Sequence, residues 1–280
     1  MNPPLIGAIG LAGALTFTAL PSPSSAQAQS AFAPPRVLEV SSVGLDNNSQ
    51  LLSLIAEVRT QADAFVFLSG GASRMREDHQ RQLLAMLEAL TLIAKDGLRI
   101  AVGDGGTQAG IMEAAGHARR GSGNAFPLIG VAPAREIAPR GDTPLDPNHS
   151  LVVAVDNPSA PQKDSWGSET ETMYWLFPKF TEGRPSVTIV ANGGGITLRE
   201  VDANVRAGRR MILVKGSGRA ADALVSLLEK TQVSDPDIIT LRERAQEAML
   251  TSRPQLFQIV VLQDGPAALR DAITVAIRMP

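Results

Sequence analysis

A chain of 280 residues, 44% hydrophobic and 19% charged, carries enough apolar material for one large or two small packed domains. Its net charge of −2 supplies no basic field, which argues against nucleic acid as a partner. There is no cysteine, so disulfides, thiolate catalysis and cysteine zinc sites are excluded, and the three histidines, His79, His117 and His149, lack metal-ligand spacing. No metal site is read.

Residues 1–35 stand apart from the rest. An apolar run over residues 5–20 is followed by Pro21-Ser22-Pro23-Ser24-Ser25 and by Ala26-Gln27-Ala28, the pattern of an apolar core before a small-residue cleavage site. The segment before it has no Lys or Arg, and the run is short for a membrane span. It reads either as an export signal cleaved near residue 28 or as a disordered leader. A cytoplasmic and an exported location therefore both stay open.

From residue 36 the chain alternates strand and helix patterns. A first strand is expected over 37–43 and a helix over 50–61, with Leu51, Leu52, Ile55 and Val58 on one face. A strand over 64–69 precedes the longest helix, 77–95, whose stripe of Leu83, Leu84, Met86, Leu87, Leu90, Leu92 and Ile93 is core. A strand over 98–102 leads into a helix over 107–119, for which Thr107 is a natural N-cap. Strands over 127–132 and 150–155 are each followed by an irregular stretch, 136–148 and 156–166. Loops of that length are commonly functional.

The second half continues in the same way. Ser168 and Glu171 form an expected capping box for a helix near residue 169, and Thr197 and Glu200 form another after the 186–191 strand. A strand over 211–214, a helix over 220–230, a helix begun by Asp235-Pro236, a strand over 257–262 and a helix over 266–277 complete the series. Seven or eight strands alternating with helices predict an α/β fold, a doubly wound, Rossmann-like and mostly parallel sheet covered on both faces. No linker breaks residues 36–280, so a single domain is expected there.

Four of these strands end directly in glycine. The first ends in Gly70-Gly71-Ala72-Ser73-Arg74 and the second in Gly103-Asp104-Gly105-Gly106-Thr107. The third ends in Asn192-Gly193-Gly194-Gly195 and the fourth in Gly216-Ser217-Gly218-Arg219. A glycine turn feeding a helix N-terminus exposes N–H groups in front of the positive end of the helix dipole, which suits an anion, phosphate above all. In a doubly wound sheet all such turns share the edge where ligands bind. Arg219 opposes the dipole of its own helix, which is easiest to explain if an anion lies between them; a plain turn with a solvent-facing Arg is the alternative.

Gly216-x-Gly218-x-x-Ala221 satisfies the dinucleotide fingerprint, but it follows a late strand and lacks the acidic strand end expected about twenty residues on, so a nicotinamide oxidoreductase fits poorly. No nucleotide P-loop and no G-x-S-x-G elbow is present.

Several segments recur in order in one family. They are Phe67-Leu68-Ser69-Gly70-Gly71-Ala72-Ser73, Asp104-Gly105-Gly106-Thr107-Gln108-Ala109-Gly110-Ile111-Met112, Leu128-Ile129-Gly130-Val131-Ala132-Pro133 and Asp146-Pro147-Asn148-His149-Ser150. Trp166-Gly167-Ser168-Glu169, Asn192-Gly193-Gly194 and Gly216-Ser217-Gly218-Arg219-Ala220-Ala221-Asp222 follow. Together these resemble the LSDAT domain, a branch of the SLOG superfamily also found at the N-terminus of melastatin-type TRP channels, over roughly residues 37–278. The resemblance implies a Rossmann-like fold that binds a nucleotide-derived ligand of the ADP-ribose or NAD-derived class, acting as a sensor and requiring no cofactor. Enzymatic relatives in the superfamily are phosphoribohydrolases carrying Gly-Gly-x-Gly-Thr-x-x-Glu. Set against Gly105-Gly106-Thr107, that pattern finds Gly110 where the Glu belongs, so binding without turnover is expected, with a nucleotide N-glycosidase as the alternative.

The roles that follow place the N–H groups of Gly70, Gly71, Gly105, Gly106, Thr107, Asn192, Gly193, Gly194, Gly216, Ser217 and Gly218 on phosphate, with Arg74 and Arg219 neutralising it. Asp104 or Glu169 accepts ribose hydroxyls, and either is the candidate catalytic carboxylate. His149 and Trp166 touch base or ribose; strand capping by His149 and loop packing by Trp166 are the rival readings. No stable membrane span is expected, and a homo-oligomer is left open.

Overall fold

In the computed structural model, residues 34–71 and 75–278 are described. The leader reading and Arg74 lie outside the described residues. Eight strands build one sheet: β1 (Arg36–Ser41), β2 (Ala64–Gly70), β3 (Ile100–Asp104), β4 (Leu128–Pro133), β5 (Leu151–Asp156), β6 (Ser186–Ala191), β7 (Arg210–Lys215) and β8 (Phe257–Val261). Their spatial order is β1-β5-β4-β3-β2-β6-β7-β8. Every pairing is parallel. The sheet is thus wholly rather than mostly parallel, as the alternation of strand and helix requires.

Helices cover both faces. On one, α2 (Glu77–Lys95), α3 (Gly110–Gly121) and α9 (Gly265–Arg278) press Leu83, Met86, Leu87, Leu90, Ile111 and Ile273 onto Val66, Val102 and Ile189. On the other, α1 (Ser49–Gln61) and α4 (Thr170–Thr181) pack on β2 to β5. There Phe67 and Phe177 stack with centroids 3.8 Å apart, and a Cβ on Gly103 would meet both rings at 3.0–3.1 Å. Beyond β2, α5 (Gly195–Arg206), α6 (Arg219–Glu229), α7 (Pro236–Arg244) and the short α8 (Glu247–Ser252) extend that face. Strand interiors are apolar at nearly every position because both faces are covered.

Several helix starts differ from expectation. Helix α3 begins at Gly110, not Thr107. Thr107 instead bridges Leu145 in antiparallel fashion, and Gln108 N–H donates to Pro144 C=O at 3.0 Å, so the 136–148 loop holds residues 107–109 extended. The Ser168–Glu171 box does not form; Glu169 is the N-cap of α4 and takes no capping bond. The Thr197–Glu200 box does not form either. Helix α5 starts at Gly195, so Thr197 sits in its first turn and accepts from Gly194 N–H at 3.3 Å, while Glu200 turns inward. Asp235 does cap α7, accepting from Asp237 and Ile238 N–H at 2.8 and 3.3 Å.

The winding direction reverses at one place. From β2 the chain steps to β3 and β4 on one side; from β6 it steps to β7 and β8 on the other. Adjacent strands β2 and β6 therefore part company at their carboxyl ends, and a crevice opens there.

At the strand ends the backbone is tightly packed. A Cβ on Gly130 of β4 would lie 2.4 Å from the Gly106 Cα, closer than real atoms approach. Gly130→Ala is expected to lose about 1–3 kcal/mol through overpacking, read as a lowered midpoint in urea with an unchanged slope.

Candidate functional site

The crevice between β2 and β6 holds a cavity of about 320 Å³. Gly70 and Gly71 come from the end of β2, Gly105 and Thr107 from the end of β3, and Gly194 to Thr197 from the first turn of α5. Trp166 and Glu169 enter from the loop before α4, Glu200 from α5 and Arg219 from α6; Leu68, Met112, Val131 and Met173 form apolar walls. A larger groove of about 1140 Å³ runs along α4 and α5 past Tyr174, Trp175 and Arg206, but it meets none of the four glycine turns. The smaller cavity has the polar convergence of a ligand site.

The four turns are not equivalent. At β6, Asn192 N–H and Gly194 N–H are held by Ser217 and Thr197, but Gly194, the N-cap of α5, has no side chain to accept from the first-turn amides, so the positive end of a 12-residue helix lines the cavity. Gly193 is needed beside it, with φ +85° and space that a Cβ would share with Thr197 Oγ1 at 2.2 Å. At β7 the position is already filled. Asp222 accepts from Gly216 N–H at 2.6 Å and from Gly218 N–H at 3.0 Å, so the anion at this turn is part of the chain. Ser217 Oγ accepts from Asn192 N–H at 2.8 Å, and Asn192 Nδ2 donates to Gly71 C=O at 3.2 Å, tying the β7, β6 and β2 turns together. Asn192, Gly193, Gly216, Ser217 and Gly218 therefore frame the cavity without lining it.

Arg219 does reach the cavity, its guanidinium against Gly194. Its partner is Asp237 of α7, 2.7 Å away, which accounts for a cation at a helix start without an external anion. That ion pair fixes where the charge stands.

Asp104 and His149 also sit differently from expectation. Both side chains are fully buried beneath the β3 turn. Asp104 Oδ1 accepts from Gly106 N–H at 2.7 Å and lies 2.8 Å from His149 Nε2, while His149 Nδ1 lies 3.1 Å from Asp146 Oδ1. Asp146 in turn fits the notch at Gly116 of α3, where a Cβ would stand 2.1 Å from its Oδ1. Neither Asp104 nor His149 touches the cavity, and Gly106 is engaged by Asp104. Burial disfavours a charged imidazole, but the two carboxylates outweigh it and raise His149 to about 9, so it carries its proton at neutral pH.

Two carboxylates face the cavity instead. Glu169 accepts from Gly167 N–H at 2.8 Å, and Glu200 accepts from the Ser69 hydroxyl in a short hydrogen bond. They are 6% and 7% exposed. Burial is the main cause that raises each to about 7; Arg199 lowers both, Glu136 raises Glu169, and Glu169 raises Glu200. Such a pair near neutrality is able to hold and release a proton beside a ligand.

Glu200 is the residue that sequence reasoning missed as a site, and two signals mark it. Thr197, Glu200 and Asn204 are polar yet recur on the buried face of α5. The Gly-Gly-x-Gly-Thr-x-x-Glu pattern also fits better one turn later than where it was set, as Gly193-Gly194-Gly195-Ile196-Thr197-Leu198-Arg199-Glu200, with Ile196 replacing the last glycine. Gly110 starts α3, beside a different turn.

A family description, SLOG in TRPM, prokaryote (LSDAT_prok), matches residues 63–269, from just before β2 to the first turns of α9. Strand β1 and helix α1 lie outside that match. No curated protein matches the chain.

His149 has a raised folded value, so the stability its proton contributes is complete below its unfolded value of 6.5 and is lost as pH rises through about 9. Glu169 and Glu200 lose theirs earlier, between 4.5 and about 7. Thermal melts from pH 4.5 to 9.5 are expected to fall in both windows, with Glu200→Gln flattening the lower one and His149→Gln the upper one.

Proposed function

The chain belongs to the prokaryotic LSDAT family of the SLOG superfamily, and on that footing we propose that the β2/β6 crevice binds a nucleotide-derived ligand of the ADP-ribose or NAD-derived class. The observation that carries the reading is the meeting, in one cavity, of an uncapped α5 N-terminus and the Arg219 guanidinium with a buried carboxylate pair. Phosphate suits the first pair: first-turn amides and a cation already fixed in place by Asp237 recognise an oxyanion at little cost in ordering. Ribose hydroxyls suit Glu169 and Glu200, which accept hydrogen bonds when ionised and donate them when protonated. Trp166, 37% exposed at the cavity rim, offers a flat face for the base. A sensor that reports the ligand through its partners needs no more than this.

A second reading is favoured by one observation, the arrival of Glu200 in the cavity at the position the enzymatic pattern assigns to its carboxylate. A carboxylate beside the ribose stabilises positive charge developing at the anomeric carbon, and a second one near pH 7 moves the proton to the leaving base or from the attacking water. Hydrolysis of an N-glycosidic bond is the reaction this chemistry suits. Ile196, where the pattern has glycine, crowds the approach of phosphate to the α5 backbone and weighs toward binding.

Equilibrium dialysis against AMP, ADP-ribose and NAD, with adenosine as the phosphate-free control, tests the binding reading. The phosphorylated compounds are expected to bind and adenosine not, and Arg219→Gln should weaken binding by about 10–100-fold. Failure of every nucleotide would refute it. Chromatography of the same mixtures after hours at micromolar protein separates the two readings: free base that disappears in Glu200→Gln establishes turnover.

A further inference from the structure

The cavity that is read above as a nucleotide site is lined by both signs of charge, and the inference drawn here rests on that reading. The first turn of α5 and Arg219 are positive, with the Arg219 guanidinium against Gly194. Glu169 and Glu200 are the carboxylates of the lining, which also includes Leu68, Val131 and Met173. Gly167 N–H donates to Glu169, whose own amide also bears on its carboxylate, and the Ser69 hydroxyl donates to Glu200. Neither is in an ion pair among the described residues. Arg199 of α5 acts on both from a distance, and Glu136, from the loop after β4, adds negative charge near Glu169.

Two buried carboxylates without a cation are an unstable arrangement unless protons or a bound positive charge relieve them. A sugar hydroxyl supplies a hydrogen bond but no charge. We propose that the ligand is a mononucleotide whose ribosylated ring is itself cationic, an N-ribosylpyridinium phosphate, with its phosphate at the α5 end and its ring between the carboxylates and Trp166. Three features converge on this. The cavity, about 320 Å³, is at the small end of ligand sites of roughly 300–1,000 Å³, which suits one nucleotide unit better than two. The phosphate and the cationic ring of such a ligand each find lining groups of opposite charge in the cavity. The rim aromatic is a Trp, the side chain whose face attracts a flat cation most strongly.

The charge pairing also sets the pH response. A cationic ring favours the ionised carboxylates, so its affinity rises with pH as Glu169 and Glu200 lose their protons near 7. Arg219 lines the same cavity, Arg199 and Glu136 act on the carboxylates through their charge, and the buried His149 lies behind the β3 turn and not in the cavity.

The test compares nicotinamide mononucleotide with its reduced form, which has nearly the same shape and phosphate but a neutral ring. Calorimetric titration of the full chain at pH 6.0, 7.0 and 8.0 is expected to give a Kd at least about tenfold lower for the oxidised form at pH 8. That preference should shrink toward pH 6 and fall to less than about threefold in Glu169→Gln and Glu200→Gln. If either variant fails to fold by circular dichroism, the oxidised-against-reduced comparison on the native chain decides alone. Equal or tighter binding of the reduced form overturns the cationic-ring inference and leaves the nucleotide reading standing. So does binding of AMP or ADP-ribose without binding of either form. Failure of every nucleotide removes both.

Discussion

The structure depends on the handedness of its crossovers. Parallel strands joined through helices must wind right-handed, so a sheet covered on both faces has to reverse direction somewhere along its width. Here the reversal falls between β2 and β6. The backbone that leaves β2 toward α2 and the backbone that leaves β6 toward α5 diverge, and no side chain has to be removed to make the crevice. Everything proposed for this protein is set in that gap, where the two neighbouring strand ends open away from each other.

Glycine turns at such an edge have two fates, and charge separates them. Where a carboxylate of the chain reaches back, as Asp222 does to Gly216 and Gly218 and Asp104 does to Gly106, the amides are satisfied and the turn is architectural. Where none does, as at the start of α5, the helix dipole and its first amides face the cavity. A Gly-rich turn is therefore a capacity for anion binding, and at the β7 turn the anion is built in. The same logic applies to Arg219, whose charge answers Asp237 before it answers any ligand.

Buried charge is distributed with equal care on the two sides of the β3 turn. Beneath it His149 is held between Asp104 and Asp146, a cation between two anions, and the cluster fixes the loop that carries Thr107 to the cavity. In the cavity itself two carboxylates stand without an ion-pair partner among the described residues, and burial raises them toward neutral pH. The first arrangement is closed and stabilising. The second is open, and an open buried charge pair is what a binding or catalytic site looks like.

The sequence by itself determined the alternation of strands and helices, the parallel sheet and the edge on which the glycines gather, because these rest on local periodicity and on turn residues a few positions apart. The α5 start shows where that reach ended: Thr197 and Glu200 have capping-box spacing, yet Glu200 bonds Ser69, 131 positions away. His149 shows it again, meeting Asp104 across 45 positions and so leaving the cavity it was expected to line. Only the tertiary structure decided which glycine amides stay open and which carboxylates share a space. Those outcomes depend on contacts between distant strand ends, and spacing along the chain carries no measure of distance across it.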